Sequence, residues 1–247
     1  MKENLPAIFA ALDDEVRIVR SKMQIDERIH IRPSVIIRGK IGKKSCLLVR
    51  TGVGKEAMMN AVSYVLENFK TQVCLNVGYA GGTVPDLHPG DLLIGAPVID
   101  RNTKVSFFPQ NDLIAQILKI CKQIDIKVVK GGLVTVDDVI KTPHEKAFIG
   151  TEHAAMAVDM ESSAFMEECG KREILAIVVR SILDSLDVFL PDISDAIDEQ
   201  GELSIGQFAG HIISKPKDIL SLPRIEYCAM KAREAISTLI EGWIKIL

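Results

Sequence analysis

Three groups of acids hold the clearest chemical signal in the sequence. Asp13, Asp14 and Glu15 follow the apolar run AIFAAL, Asp159 and Glu161 flank Met160 in AVDMESSAF, and Asp184 and Asp187 follow AIVVRSIL. Carboxylates are almost never fully buried unless paired or bonded, yet each group stands where an apolar strand gives way to the next element. Any one group has a structural explanation, because an acid at a helix start caps free N–H groups and complements the helix dipole. Three such groups, with glycine-rich turns expected at 52–54 and 78–82, shift the reading toward a site. In open α/β sheets, ligands bind beyond the carboxyl ends of the strands. The ligand expected there offers hydroxyls and needs a proton donor.

The elements that must position these acids follow from periodicity. Residues 7–12, 34–38, 45–50, 73–78, 91–99, 127–134 and 174–182 form short apolar runs of the kind found in buried strands. Lys55 to Lys70 places Ala57, Met58, Ala61, Val62, Val65, Leu66 and Phe69 on one helical face, which could serve core or interface equally. Asp112 to Gln123, Glu161 to Cys169 and Tyr227 to Ile246 are also expected to be helical. Strands alternating with helices imply an α/β fold with a mainly parallel sheet covered on both faces. Residues 1–247 are expected to form one domain, with a long excursion at 185–226 that is rich in Asp, Ser and Pro.

Composition narrows the function classes. A chain of 247 residues that is 47% hydrophobic can bury a large core. Its net charge of −3 and lack of clustered Lys and Arg argue against nucleic acid as a partner. No apolar stretch reaches the length of a membrane span. The start, MKENLPAIFAALDDE, lacks the features of a signal peptide. Five scattered cysteines with no metal spacing suit reduced thiols, and hence a cytoplasmic location. Several short motifs fail on inspection. TGVGK at 51–55 has Val49 where a phosphate loop needs glycine and Glu56 where it needs Ser or Thr. GYAGG at 78–82 misses the dinucleotide spacing. His144-Glu145 lacks the second histidine of a zinc helix, because Phe148 stands there. No metal site is expected.

AALDDEV (10–16), RTGVGKEAMMNAVSYVLENF (50–69), LNVGYAGGTVPDLHPGDLLI (75–94), AVDMESSAF (157–165) and VVRSILDSLD (178–187) together resemble the nucleoside phosphorylase/nucleosidase superfamily. The nearest well-described branch is the 5′-methylthioadenosine/S-adenosylhomocysteine nucleosidases. Beyond residue 187 the chain is more similar to the hopanoid-associated phosphorylases of the same superfamily. The resemblance implies a three-layer α/β/α sandwich of the phosphorylase/hydrolase type, with a central mixed, mainly parallel sheet.

It also implies roles for individual residues. Asp184 maps onto the acid that protonates N7 of the leaving purine, and Glu15 onto the base that activates water. Glu161 maps onto the carboxylate that accepts bonds from the ribose hydroxyls, with Met160 packed on the sugar and Asp159 either a ribose contact or a helix cap. Val139 and Ile140 fall in the base-flanking segment, where Val139 replaces an aromatic residue. Tyr79 stands where small residues are usual, and Gly54 belongs to the first glycine turn beside the substrate. Leu183 replaces a serine, which is expected to leave Asp184 more desolvated.

The implied reaction is cleavage of the N-glycosidic bond of a 5′-substituted adenosine or related purine nucleoside. No cofactor is expected; inorganic phosphate would be a co-substrate only of a phosphorylase. Asn76, in place of a phosphate-holding arginine, and Glu15 both favour water, whereas Arg50 beside the first glycine turn keeps phosphorolysis open. A non-catalytic nucleoside-binding protein is the third reading. The partners expected are a small-molecule purine nucleoside and a second copy of the chain, in a homodimer or higher homo-oligomer. Apolar residues in the excursion (Val188, Phe189, Leu190, Ile193, Ile205, Phe208 and Ile212) suggest either a seal onto the sheet or a groove for a bulky 5′ group.

Overall fold

A computed structural model describes residues 4–186 and 222–247. The chain begins β1 (Ala7–Ala10), α1 (Asp13–Lys22), β2 (Gln24–Ile31), β3 (Ser34–Ile41), β4 (Lys44–Arg50) and α2 (Lys55–Asn68). It continues with β5 (Val73–Gly82), β6 (Leu92–Asp100), β7 (Ser106–Phe107), α3 (Asn111–Gln123), β8 (Val128–Thr135) and α4 (Pro143–His153). The remaining elements are β9 (Ala155–Asp159), α5 (Ser162–Lys171), β10 (Leu175–Asp184) and α6 (Leu222–Ile246). The excursion's residues 187–221, with Asp187 and all seven apolar residues of the groove reading, lie outside the described residues. Its last residues, from Leu222, are the start of α6.

One mixed sheet runs β10-β6-β8-β9-β5-β1-β4-β3-β2, and β10 also pairs with β5. The second pairing closes β5, β10, β6, β8 and β9 into a ring, while β1, β4, β3 and β2 extend from it as a wing. Parallel ladders join β1 to β4 and β5, β5 to β10, and β8 to β6 and β9. Antiparallel ladders join β2, β3 and β4 in the wing, and β5 to β9 and β6 to β10 in the ring.

Alternation along the strands builds a core on each face. Ile8, Leu75, Val77, Ile177 and Val179 point to one face, where α1, α3 and α6 cover them with Val16, Ile117 and Trp243. Phe9, Leu47, Cys74, Ala176 and Val178 point to the other, under Met58 and Val62 of α2 and Phe165 of α5. The apolar face of α2 is therefore consumed inside the chain and gives no support to an interface.

Several expectations are corrected. GYAGG is not a turn, because β5 continues through it to Gly82, pairing with β10 up to Gly81↔Asp184. Strand β2, QIDERIHI, was not expected, since its acidic and basic residues hide the alternation of Ile25, Ile29 and Ile31, all half-buried. Helix α5 starts at Ser162 and runs to Lys171, one residue later and two further than expected from sequence.

Candidate active site

The strands that carry the acids end on one side of the ring, and their side chains meet there. Glu15, Tyr79, Val139, Ile140, Asp159, Met160, Glu161 and Asp184 line one cavity of about 210 Å³, together with Leu12, Val53, Leu183 and Lys146. Gly54 does not line it, but its N–H donates to Glu161 Oε1 at 2.8 Å. A φ of 95° at Gly54, in the left-handed region that glycine tolerates, turns the chain from β4 into α2 and presents that N–H. Met160 and Ile140 pack on a small cluster of Ile99, Val134, Val136 and Ile149 beside α4. Val139, in place of an aromatic, is 47% exposed and supplies an aliphatic edge to the cavity.

Glu15 sits in the first turn of α1, where its Oε2 accepts from the Leu12 N–H at 2.9 Å and its Oε1 from the Tyr79 N–H at 2.8 Å. Burial pushes its carboxyl above the ordinary range, while the charge of Arg180 and these N–H groups pull it back. The first glycine of GYAGG has a packing reason: a Cβ on Gly78 would collide with the Arg180 guanidinium and lie 2.8 Å from Glu15 Oε1. The Tyr79 hydroxyl is turned to Asp14, donating to its Oδ2 at 2.6 Å, and Asp14 is held in turn by Arg233 of α6.

Asp159 and Glu161, one residue either side of Met160, have different surroundings. Asp159 Oδ1 accepts from Thr135 Oγ1 at 2.9 Å; Oδ2 accepts from the Ser162 N–H at 3.0 Å and from Arg180 Nη2 at 2.6 Å and Nε at 2.9 Å. Its oxygens are thus engaged by the cap of α5 and by a buried ion pair. Glu161 has the Gly54 N–H as its bond and faces the cavity; burial first, and then the charge of Asp159, push its carboxyl up to about 7. One of the pair anchors the turn and the other faces the cavity.

Asp184 ends β10 and is 3% exposed. Leu183 stands in place of a serine beside it, and the partner that the sequence did not reveal is the ammonium of Lys146, itself 1% exposed, which bonds to Asp184 Oδ2. Lys146 was missed, and so was Arg180. The latter had a readable signal, a charge in the middle of the apolar run VVRSI. The lysine had none, since α4 is a polar helix whose inward residue depends on packing.

Residues weighed for phosphate lie elsewhere. Arg50 lines a separate depression with Asp13, Arg20, Arg28 and His30. Asn76 is fully buried and donates to the Met58 sulfur at 3.7 Å. Lys55 of TGVGK is bound by Asp100 and Asp137, each at 2.8 Å. Among the described residues no group of three or more His, Cys, Asp or Glu could hold a metal ion, and no helix is long and apolar enough to cross a membrane.

Comparisons with known proteins bear on the family and the fold. A family model for the phosphorylase superfamily matches residues 7–220. A 5′-methylthioadenosine/S-adenosylhomocysteine nucleosidase of Bacillus thuringiensis (strain Al Hakam) is 26% identical over 195 residues, which covers 72% of this chain and 84% of the relative. The same nucleosidase from Neisseria meningitidis, solved with methylthio-immucillin-A, superposes with a TM-score of 0.73 at 19% identity, covering 97% of this chain and 99% of that one. A futalosine hydrolase of Helicobacter pylori superposes with a TM-score of 0.72 at 19% identity, covering 96% and 97%.

Proposed function

The chain belongs to the phosphorylase superfamily, and from that premise we propose that it hydrolyses the N-glycosidic bond of a 5′-substituted adenosine or related purine nucleoside. The observation that carries this reading is the convergence of Glu15, Glu161 and Asp184 on one small cavity. Glu161 accepts bonds from the ribose hydroxyls and holds the sugar as positive charge develops at C1′. Asp184 gives a proton to N7 of the base as the C1′–N9 bond breaks and its electron pair stays with the base. Water adds to C1′ and loses a proton to Glu15, which returns to Asp184 through solvent. The products are the neutral base and the ribose derivative.

Water is favoured over phosphate by what surrounds the nucleophile's side of the cavity. Glu15 repels a dianion, Arg180 is bonded to Asp159, and Arg50 lies in another depression. The test is incubation with 5′-methylthioadenosine and other adenosine derivatives, with and without inorganic phosphate. Free adenine and free sugar, formed at the same rate in both, are expected. Adenine formed only with phosphate, beside a sugar 1-phosphate, would make the protein a phosphorylase. Tight binding without adenine release would make it a nucleoside-binding protein.

A further inference from the structure

The four carboxyls that line the cavity, Glu15, Asp159, Glu161 and Asp184, are opposed by two buried cations, Arg180 and Lys146. Among the described residues, ionising all six would set four negative charges against two positive in a buried cluster. Like charges crowded together in a buried cluster favour the neutral form of one another. Burial raises both Glu15 and Glu161, which agrees with that tendency. The two cations divide the acids between them. Arg180 is committed to Asp159, and Lys146 to Asp184. Of the Asp184 oxygens, Oδ2 takes the Lys146 bond, while Oδ1 lies over Gly81 on the cavity wall, 3.4 Å from where a Cβ there would be.

Resting on the hydrolysis proposed above, we propose that Lys146 is the positioning residue of the acid. Its ammonium fixes Asp184 Oδ2, so that Oδ1, the oxygen through which the proton is passed, is left on the cavity side. It then faces the carboxylate formed when that proton departs. A cation beside the product of proton transfer stabilises the late part of the step and leaves the ground-state contacts with the sugar unchanged. Lys146 thus acts on the substrate only through Asp184.

Release of adenine from 5′-methylthioadenosine is measured for the wild-type protein, Lys146→Met, Lys146→Arg, Asp184→Asn and the double variant Lys146→Met/Asp184→Asn. Lys146→Met is expected to lower kcat about tenfold to a hundredfold with KM within about threefold, and Lys146→Arg to recover part of the loss, the pattern of an interaction made chiefly in the transition state. The double variant is expected to turn over at the rate of Asp184→Asn alone, because a residue that acts through Asp184 has nothing to add once the acid is gone. Unchanged kcat in Lys146→Met, or losses that multiply in the double variant, overturn the proposal. Where Lys146→Met fails to fold, comparison of the double variant with Asp184→Asn decides alone: equal turnover supports it and a further drop overturns it. A wild-type protein that releases no base from 5′-methylthioadenosine or from any other purine nucleoside supplied would instead refute the hydrolysis reading itself.

Discussion

At the scale of the residue, the site is a division of labour among acids with different partners. Asp184→Asn removes the transferable proton and is expected to lower kcat by about a hundredfold or more while leaving ligand affinity nearly intact, as single-turnover and binding measurements would check. In its proposed role Glu161 has to be a carboxylate to accept from the ribose hydroxyls, and burial pushes its carboxyl up to about 7. The preference for a riboside over its 2′-deoxy counterpart is therefore expected to be largest above that pH and to shrink as pH falls through it. Glu161→Gln should abolish the pH dependence of that gap, as calorimetric titration at several pH values would show. Asp159 is a different case, since Asp159→Asn leaves the buried Arg180 guanidinium without the carboxylate it is bonded to. A loss of about 3 kcal/mol in urea denaturation is expected; a loss below about 1 kcal/mol would mean that the pair is dispensable. Glu15, Glu161 and Asp184 were legible because each stands at a strand end in a stretch with a family likeness. Lys146 was not legible, because a lysine in PHEKAF reads as solvated until the packing of α4 turns it inward.

At the scale of the element, helix α4 decides where Lys146 stands. Its N-cap is Thr142, whose hydroxyl accepts from the Glu145 N–H at 3.2 Å, and Pro143 begins its first turn. Thr142→Ala is expected to cost about 1 kcal/mol in thermal denaturation, the usual effect of losing a cap. The strands of the core were readable from their apolar runs, for there the hydrophobic pattern and the burial coincide. Strand β2 was not readable, since edge strands are kept soluble by charges, and DER interrupts the period of its isoleucines. The course of β5 was misread for the opposite reason. Glycine signals a turn in sequence, but at Gly78 it is there to let Arg180 and Glu15 approach the backbone. Where a residue type serves contact at a distance, local rules misassign it.

At the scale of the whole molecule, Phe108 is 69% exposed and Phe148 59%; together with the superfamily likeness these make assembly worth testing, and sedimentation at micromolar concentration is expected to report a homodimer. A monomer under those conditions would remove the assembly from the reading. The closed ring of strands has a further consequence, which concerns the order in which the protein is made. Strand β10 is the last strand among the described residues, yet it sits between β5 and β6, both synthesised long before it. Until it emerges, those two strands offer unpaired edges, and Asp184, its final residue, is not there to complete the cavity. A nascent chain is therefore both sticky and inactive until this one strand is inserted. Fragments that stop before Leu175 are expected to aggregate or bind chaperones, whereas a break in the wing hairpin between β2 and β3 should leave the ring, and nucleoside binding, intact.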